Sequence, residues 1–247
     1  MKSGQWIYGL HAVQAALERN PGSLSEVWVE KDRKDARMQA VLDAAVSHRI
    51  EVRKVSRKEL NALAPDARHQ SVAACMQGRE AGREEDLEQL LDGLTEPPFL
   101  LILDGVQDPH NLGACLRSAA AAGAHALIAP RDRAVGLTPV VRKVASGAAE
   151  VVPFIQVTNL ARTLRMLRER GIWLVGADAD GDGDLFSVDL RGPLAVVMGA
   201  EGQGLRRLTK EYCDILARIP MAGRVESLNV SVATGVFLFE ALRQRRI

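Results

Sequence analysis

One stretch decides the fold class of this 247-residue chain: Phe99-Leu-Leu-Ile-Leu-Asp104-Gly-Val-Gln-Asp-Pro-His-Asn111-Leu-Gly-Ala-Cys-Leu-Arg117. It opens with a continuous apolar run up to Asp104, which is typical of a strand buried on both faces of a sheet. A turn rich in Gly, Asp and Pro follows and leads into a helix predicted over residues 112–123. A strand, a turn and a helix in this order predict one unit of an α/β fold.

The same alternation continues to the end of the chain. Further strands are predicted at residues 126–129, 152–156, 173–176, 194–198 and 215–219, and further helices at 139–145, 160–170 and 229–243. Residues 99–247 are therefore expected to form one domain, a parallel sheet covered by helices. The last helix is apolar on nearly all sides, so it must be buried by its own domain or by a second subunit.

A smaller unit precedes this domain. Helices predicted at residues 9–19 and 35–47, with strands at 26–30, 50–55 and 71–76, make an α/β unit of about 75 residues, which is enough to fold alone. Residues 77–98 are polar and acidic and end in two prolines. We predict a domain at residues 1–76, an acidic linker at 77–98 with a short helix at 87–91, and a second domain at 99–247.

Composition excludes several classes of protein. Hydrophobic residues make up 47% of the chain, and no apolar run approaches the ~20 residues of a membrane-spanning helix, so disorder and a membrane protein are disfavoured. No secretory signal is visible, and three cysteines without a C-x-x-C pair disfavour disulfides and structural zinc, so a cytoplasmic protein without metal is expected. The net charge of +1 combines −5 in residues 77–98 with +3 on each side, so it does not exclude a nucleic-acid partner.

The turn after the first strand of the second domain is a candidate site, because ligands of open α/β sheets bind beyond the carboxyl ends of the strands. Asn111 is placed at or near the start of the helix, and Arg117 follows about two turns later. A capping asparagine and a solvated arginine are the alternative interpretation.

A second candidate is Val196-Val-Met-Gly199-Ala-Glu201-Gly-Gln-Gly204, a buried strand entering a glycine-dense turn. Its G-x-x-G-x-G spacing is neither the dinucleotide fingerprint nor a phosphate loop, which disfavours a nicotinamide or ATP site. Glycines let the backbone approach a ligand closely, and an acid, Glu201, inside such a turn is unusual. A plain tight turn is the alternative.

A third candidate joins Ile219-Pro-Met221-Ala-Gly to Ser227-Leu-Asn229-Val-Ser231 at the start of the last helix. A helix N-cap explains one polar side chain there but not several, so this end is expected to face a ligand or an interface.

Other templates fail. Residues 178–189 approximate a calcium loop, but Asp189 replaces the final Glu and no helix is predicted before the loop, so a solvated acidic loop is favoured. No G-x-S-x-G or H-E-x-x-H motif occurs, the five histidines lack ligand spacing, and Cys115 is expected in the core rather than as a nucleophile.

Taken together and in order, these three motifs resemble those of the SpoU/TrmH branch of the SPOUT RNA 2′-O-methyltransferases. The resemblance extends to the front domain through Ile7-Tyr-Gly-Leu-His-Ala-Val13 and Arg68-His-Gln-Ser71-Val-Ala73, although Ser71 stands where the family commonly has glycine. It implies an L30e-like RNA-binding domain followed by a catalytic domain that contains a deep trefoil knot and forms a homodimer. General topology rules alone would predict an unknotted sheet.

The resemblance also implies S-adenosylmethionine as cofactor and methyl transfer to the ribose 2′-hydroxyl of a guanosine in the peptidyl-transferase region of 23S rRNA. Gly199, Ile219 and Leu228 would contact the cofactor, with Ala200 and Met221 as neighbours. The catalytic residues would be Asn111, Arg117, Glu201 and Asn229. A guanidinium keeps its proton in proteins, so Arg117 is assigned to orient the hydroxyl or a phosphate and to stabilise developing negative charge.

The sequence indicates the RNA-contacting residues less specifically than the cofactor-binding ones. Basic side chains of the front domain are candidates for phosphate contacts: Arg19, Lys31, Arg33, Lys34 and Arg37. Because aromatic residues are few, recognition of folded rRNA shape is expected. A tRNA ribose methyltransferase and a non-catalytic rRNA-binding assembly factor are the alternatives; the full front domain argues against the first, and the intact motif residues against the second.

Overall fold

A computed structural model describes residues 5–19, 21–31, 33, 35–63, 69–76, 80–223 and 227–246. The chain divides into two compact units, Met1–Arg79 and Glu80–Ile247, each with its own sheet and hydrophobic core. Within the described ranges, none of the helices combines the length and the apolar character needed to cross a bilayer.

The first unit is a four-stranded mixed sheet with helices on both faces. Its strands are β1 (Gln5–Tyr8), β2 (Leu24–Glu30), β3 (Glu51–Val55) and β4 (Val72–Met76), and its helices are α1 (Leu10–Arg19), α2 (Ala36–Ser47) and α3 (Arg57–Leu63). The order is β1-β4-β2-β3, with β2 and β3 parallel and the other pairs antiparallel. Helices α1 and α2 pack on one face, and Leu60 of α3 is buried on the other.

Sequence patterns predicted α1, α2, β2, β3 and β4 but missed β1 and α3. Helix α3 is short and begins with charged residues, so it has no clear apolar period. Its start is nevertheless stabilised locally, because the Ser56 amide donates to the Glu59 carboxylate (2.7 Å) and the Glu59 amide donates to the Ser56 hydroxyl (3.3 Å). This reciprocal pair is a capping box, a signal that the sequence does contain.

The Gln70–Ser71 turn has a backbone conformation that favours glycine. Gln70 and Ser71 have φ of 48° and 64°, in the left-handed region that a side chain disfavours. Ser71 is held there by its hydroxyl, which donates to Glu30 Oε2 (2.5 Å), and by its amide, which donates to His69 Nδ1 (3.1 Å). The hydroxyl of Ser71 therefore adds one hydrogen bond, to Glu30, that glycine cannot make.

The second unit is a seven-stranded parallel sheet between two layers of helices. Its strands are β5 (Phe99–Asp104), β6 (Ala126–Pro130), β7 (Phe154–Val157), β8 (Trp173–Ala177), β9 (Gly183–Asp184), β10 (Leu194–Gly199) and β11 (Ile215–Arg218). Its helices are α4 (Glu84–Gly93), α5 (Pro109–Ala122), α6 (Pro139–Ala145), α7 (Ala148–Val151), α8 (Leu160–Glu169), α9 (Arg207–Tyr212) and α10 (Val230–Arg245). The predicted α/β class with a parallel sheet is confirmed.

Burial explains the continuous apolar strands. Every residue of β5, β6 and β10 is buried, because one hydrophobic cluster covers each face of the sheet. Helices α5, α6, α7 and α10 supply one cluster, and α4 and α8 supply the other. The parallel pairing needs such two-sided cover, since both faces of each strand are apolar.

Most of the predicted linker is folded. Residues 80–98 belong to the second unit, where the Gly82 amide donates to the Phe154 carbonyl (2.8 Å) and the Glu84 carboxylate accepts from the Thr158 amide (3.0 Å). Helix α4 is longer than the predicted 87–91 and buries Leu87 and Leu91 against the sheet. The acidic composition that indicated a linker belongs to the solvent-facing side of an amphipathic helix.

Helix α4 should therefore contribute to the stability of the second unit. Leu87→Ala is expected to lower its free energy of unfolding by about 2–4 kcal/mol, since Leu87 is fully buried. Urea denaturation of the whole chain, followed by circular dichroism, measures this. Glu88→Ala, at an exposed position of the same helix, is the matched control, and equal transitions for the two variants would contradict the packing role.

Two strands are inserted between strands that occur earlier in the chain. The order is β7-β6-β5-β10-β8-β11-β9, so β10 lies between β5 and β8, and β11 lies between β8 and β9. Because these strands are parallel, the turns after β5, β8, β10 and β11 lie at one edge of the sheet, and the insertions make them neighbours there.

Candidate active site

The three sequence motifs meet at the carboxyl edge of the sheet. Gly199, the last residue of β10, pairs in register with Asp104, the last residue of β5, so the turns that follow these strands are neighbours. Helix α10 begins at the same edge, with Asn229 as its N-cap residue. The three motifs thus meet beyond the carboxyl ends of the strands, where the sequence predicts a site.

Three of the predicted catalytic side chains form one hydrogen-bonded chain. Asn229 Nδ2 donates to Asn111 Oδ1, and Asn111 Nδ2 donates to Glu201 Oε2, each at 3.0 Å. Asn229 Oδ1 in turn accepts from the Ser231 amide (2.9 Å) and hydroxyl (2.7 Å). Both amide groups are thus fixed in orientation, and each residue comes from a different motif.

This chain leaves one carboxylate oxygen available. Asn111 is only 7% exposed, whereas Glu201 is exposed at the mouth of the turn. Among the residues that the structure describes, Glu201 Oε1 accepts no hydrogen bond. Asn111 fixes Oε2 of the Glu201 carboxylate, so Oε1 can accept a hydrogen bond from a hydroxyl group and orient it.

Arg117 is not part of this cluster. It lies on an exposed face of α5, lines neither of the cavities at this edge, and makes no hydrogen bond or ion pair with any described residue. Within one chain, the predicted catalytic arginine is separated from the three residues it was grouped with. A role in chemistry requires the substrate or a second protomer to complete the site around it.

A cleft of about 500 Å³ contains all five predicted cofactor residues. Gly199, Ala200, Ile219, Met221 and Leu228 line it, together with Glu201 and Asn229 at one wall. Buried apolar side chains close its inner end: Met198, Ala217, Val230 and Phe237.

The glycine turn shapes one wall of this cleft. The Ala200 amide donates to the Gly204 carbonyl (3.1 Å), and the Gly204 amide donates to the Ala200 carbonyl (2.9 Å). A Cβ at Gly199 would overlap backbone atoms of Gly204 and Leu205, so this position requires glycine. Gly202 and Gly204 adopt φ of 75° and 66°, which favours glycine there as well.

Sequence reasoning missed the charged residues of the cleft. Asp178, directly after β8, lines it with Asp180 and Lys210, and Asp178 forms an ion pair with Lys210. The sequence does contain a signal for Asp178, because it directly follows the strand β8, at the end where ligands of open α/β sheets bind. With Glu201, the cleft carries three carboxylates and one ammonium group, so it suits a ligand of net positive charge.

Comparisons with known proteins identify the family. Residues 98–239 match the SpoU rRNA Methylase family model, and residues 6–80 match a model described as RNA 2′-O ribose methyltransferase substrate binding. This chain belongs to the SpoU rRNA methylase family. A SpoU-type relative from Pectobacterium atrosepticum, named 23S rRNA (guanosine-2′-O-)-methyltransferase RlmB, is 57% identical over 239 residues, covering 97% of this chain and 98% of that protein.

Solved structures of SpoU proteins share the fold. The methyltransferase AviRb from Streptomyces viridochromogenes, in complex with AdoMet, has a TM-score of 0.75 and 25% identity, and the match covers 98% of this chain and 90% of that chain. The A. aeolicus TrmH/SpoU tRNA modifying enzyme is 31% identical with a TM-score of 0.55, but the match covers only 66% of this chain and 84% of that one.

The acidic loop of this SpoU chain is not flanked by two helices. Strand β8 precedes it, and residues 183–187 form β9 and a short 3₁₀ helix. In the parts of the chain that the structure describes, no group of three or more His, Cys, Asp or Glu side chains could hold a metal ion.

Cys115 is a core residue, as expected. It is fully buried in α5, where its Sγ lies 3.5 Å from Thr234 Oγ1. Burial raises the pKa of its thiol to about 11, so the nucleophilic thiolate is scarce at neutral pH.

The basic residues of the front unit differ in their surroundings. Lys31 and Arg37 are exposed, whereas Arg33 is already engaged: it pairs with Asp35 and donates to the Gln70 carbonyl (2.5 Å). Lys34 and the side chain of Arg19 lie outside the described residues. Phosphate contacts are thus better supported for Lys31 and Arg37 than for Arg33.

Proposed function

We propose that this chain transfers a methyl group from S-adenosylmethionine to the ribose 2′-hydroxyl of a guanosine in 23S rRNA. The observation that carries the proposal is the Asn229–Asn111–Glu201 hydrogen-bonded chain at the wall of the cleft. It joins three motifs of the SpoU family in one place, in a chain that is 57% identical to a relative with this activity along nearly its whole length.

The residues of the cleft fit the cofactor. S-adenosylmethionine supplies an electrophilic methyl group on a positively charged sulfonium. The carboxylates of Asp178, Asp180 and Glu201 suit its net positive charge, and Ile219, Leu228 and Phe237 offer apolar surface to its adenosyl part. Gly199 keeps the turn at this wall of the cleft closed, because a Cβ there would overlap backbone atoms of Gly204 and Leu205.

The chemistry assigned to the protein is positioning and charge stabilisation. A ribose hydroxyl is a poor nucleophile, so the site must hold it in line and promote loss of its proton. Glu201 Oε1 can accept a hydrogen bond from the ribose hydroxyl. Asn111 donates to Glu201 Oε2, and Asn229 donates to Asn111, so the carboxylate is held in place. Arg117 is assigned to a phosphate or to the developing oxyanion, since a guanidinium keeps its proton.

We further propose that the second unit forms a homodimer through α10. Val232 and Phe239 on this helix are 53% and 48% exposed, and with Val236 they form an apolar stripe at helical spacing. Gly235 faces Ser118 on α5, next to Arg117, so a second protomer on this stripe would lie beside the exposed arginine. This arrangement would give Arg117 a complete site.

The proposal also includes a knotted second unit, an L30e-like first unit and a cytoplasmic location. Insertion of β10 and β11 between earlier strands supports a trefoil knot in the second unit, and the substrate-binding family match over residues 6–80 supports an L30e-like, RNA-binding first unit. We assign the domain roles from the two matched models, and an rRNA substrate supports a cytoplasmic location.

Methylation mapping tests the proposed activity. Purified chain, S-adenosylmethionine and unmodified 23S rRNA are expected to yield one new alkali-resistant linkage, at a guanosine, because a 2′-O-methyl group blocks hydrolysis of the adjacent phosphodiester. Unmodified tRNA, incubated in parallel, should stay unchanged. Methylation of tRNA instead would favour the alternative substrate, and no methylation of either RNA would favour the non-catalytic factor.

A further inference from the structure

A second cavity lies beside the cofactor cleft and is not explained by it. Its volume is about 330 Å³, and it shares five residues with the cleft: Ala200, Glu201, Gln203, Gly204 and Val230. Asn111 lines only this second cavity, and Asn229 lines only the cleft. The hydrogen-bonded chain of catalytic candidates therefore forms the wall between the two spaces.

Arg206 is held at the border of this cavity. Its amide donates to Asp104 Oδ2 (3.0 Å), and its Nε lies 3.5 Å from Asp104 Oδ1. Asp104 is buried, and among the described residues its Oδ1 accepts no hydrogen bond. The Arg206 side chain is still 46% exposed, so one edge of the guanidinium is anchored by a buried carboxylate and the rest is available to a ligand.

Gly105 makes room for this arginine. A Cβ at Gly105 would lie 3.0 Å from Nη2 of Arg206 and 3.8 Å from the carbonyl oxygen of Arg133. Gly105 also has a φ of 85°, which favours glycine. The side chain of Arg206 and the backbone of Arg133 thus approach the same glycine.

Arg133 is the second cation of the cavity. It adopts a φ of 57°, a conformation that is costly for a residue with a side chain and is concentrated at functional sites. The Val135 amide donates to the Val106 carbonyl (3.1 Å), which ties its loop to the turn after β5. Arg133 makes no ion pair or side-chain hydrogen bond within the described part of the chain, so its charge is uncommitted.

We propose that this cavity binds the acceptor nucleotide of the RNA, with Arg133 and Arg206 on the phosphates that flank its ribose. A nucleotide inside an RNA chain carries a phosphate on each side of its ribose, and guanidinium groups bind phosphate oxygens through paired hydrogen bonds. A ribose held between them faces the wall formed by Asn111 and Glu201, which the cofactor cleft adjoins. The inference rests on the proposed function and deepens it.

The carboxylates of the cavity do not oppose this assignment. Asp104 faces Arg206, and Asp108 caps helix α5, where its Oδ1 accepts from the His110 amide (2.9 Å). Glu201 accepts from Asn111 at the wall where the hydroxyl is placed. Only Asp104 is paired with a cation, and the groups that can offer a phosphate positively charged donors are Arg133 and the exposed part of Arg206.

Arg133→Gln tests the proposal, because it removes the positive charge without removing an ion pair or hydrogen bond within the described part of the protein. The KM for unmodified 23S rRNA is expected to rise about 10-fold, and the slope of log KM against log salt concentration to fall by about one. The Kd for S-adenosylmethionine, measured by calorimetry, is expected to stay the same. Arg131→Gln is the matched control: it lies on the same loop, is exposed and lines neither cavity, so it should change the KM less than about twofold.

The outcomes separate the two proposals. Wild-type methylation with the same RNA KM and salt slope in Arg133→Gln as in Arg131→Gln would overturn the nucleotide site and leave the proposed function standing. A weaker Kd for S-adenosylmethionine in Arg133→Gln would also overturn it, because the defect would then lie in the cofactor cleft. No methylation by the wild type would overturn the proposed function, and the nucleotide site with it.

Discussion

Asn111→Asp is expected to lower kcat for RNA methylation by at least about 100-fold. The substitution keeps the size of the side chain but removes Nδ2, the donor that holds Glu201 Oε2 at 3.0 Å. It also places a second carboxylate beside Glu201 in a position that is only 7% exposed, where two like charges repel strongly. The Kd for S-adenosylmethionine should change little, because Asn111 does not line the cofactor cleft.

Asn159→Asp is the control for this result. Asn159 is the N-cap of α8, where its Oδ1 accepts from the Arg162 amide (3.1 Å), and aspartate caps a helix as well as asparagine does. Its kcat should stay within about twofold of the wild type. Single-turnover measurements with saturating RNA give the comparison. Equal rates for the two variants would mean that the Asn111–Glu201 contact has no part in methyl transfer.

Gly199→Ala should abolish cofactor binding. Its new methyl group would overlap backbone atoms of Gly204 and Leu205, which cannot turn away as a side chain can, so the two ends of the glycine turn must separate. The Ala200–Gly204 hydrogen bonds would be lost with this movement, and the wall of the cleft with them. We expect the Kd for S-adenosylmethionine to rise at least about 100-fold and the free energy of unfolding to fall by about 1–3 kcal/mol.

Gly192→Ala is the matched variant, just before the other end of the same strand β10. No atom lies within 4 Å of its added Cβ and its φ is not positive, so neither affinity nor stability should change. Calorimetric titration with S-adenosylmethionine and urea denaturation measure the two effects. If Gly199→Ala bound the cofactor as Gly192→Ala does, the glycine turn would not be a wall of the binding site.

Local patterns were sufficient for most elements of the sheet. Strands β5, β6, β8 and β10 and helix α6 were predicted within one or two residues, because a strand buried on both faces needs an unbroken apolar run. Helix α4 was underestimated, since its acidic face indicated a linker while its apolar face contacts residues far away in the sequence.

The candidate site was predicted only in part, for the same physical reason. Asn111, Glu201 and Asn229 could be singled out because each stands in a turn of unusual composition after a strand or before a helix. The charged pair Asp178–Lys210 and the two arginines of the second cavity carry no such local signal. They become functional candidates only when the inserted strands bring their turns together.

By itself, the sequence determined the α/β class, most strands and helices, the motif order of a SpoU-type chain and three residues of the candidate site. It could do so because apolar periodicity, turn composition and helix capping act over a few residues. Only the tertiary structure decided that the acidic segment packs on the second unit, that Asn229, Asn111 and Glu201 form one hydrogen-bonded chain, and that Arg117 lies apart from it. The two hydrogen bonds of that chain join residues 90 and 118 positions apart, and the order in which strands insert into the sheet decides them.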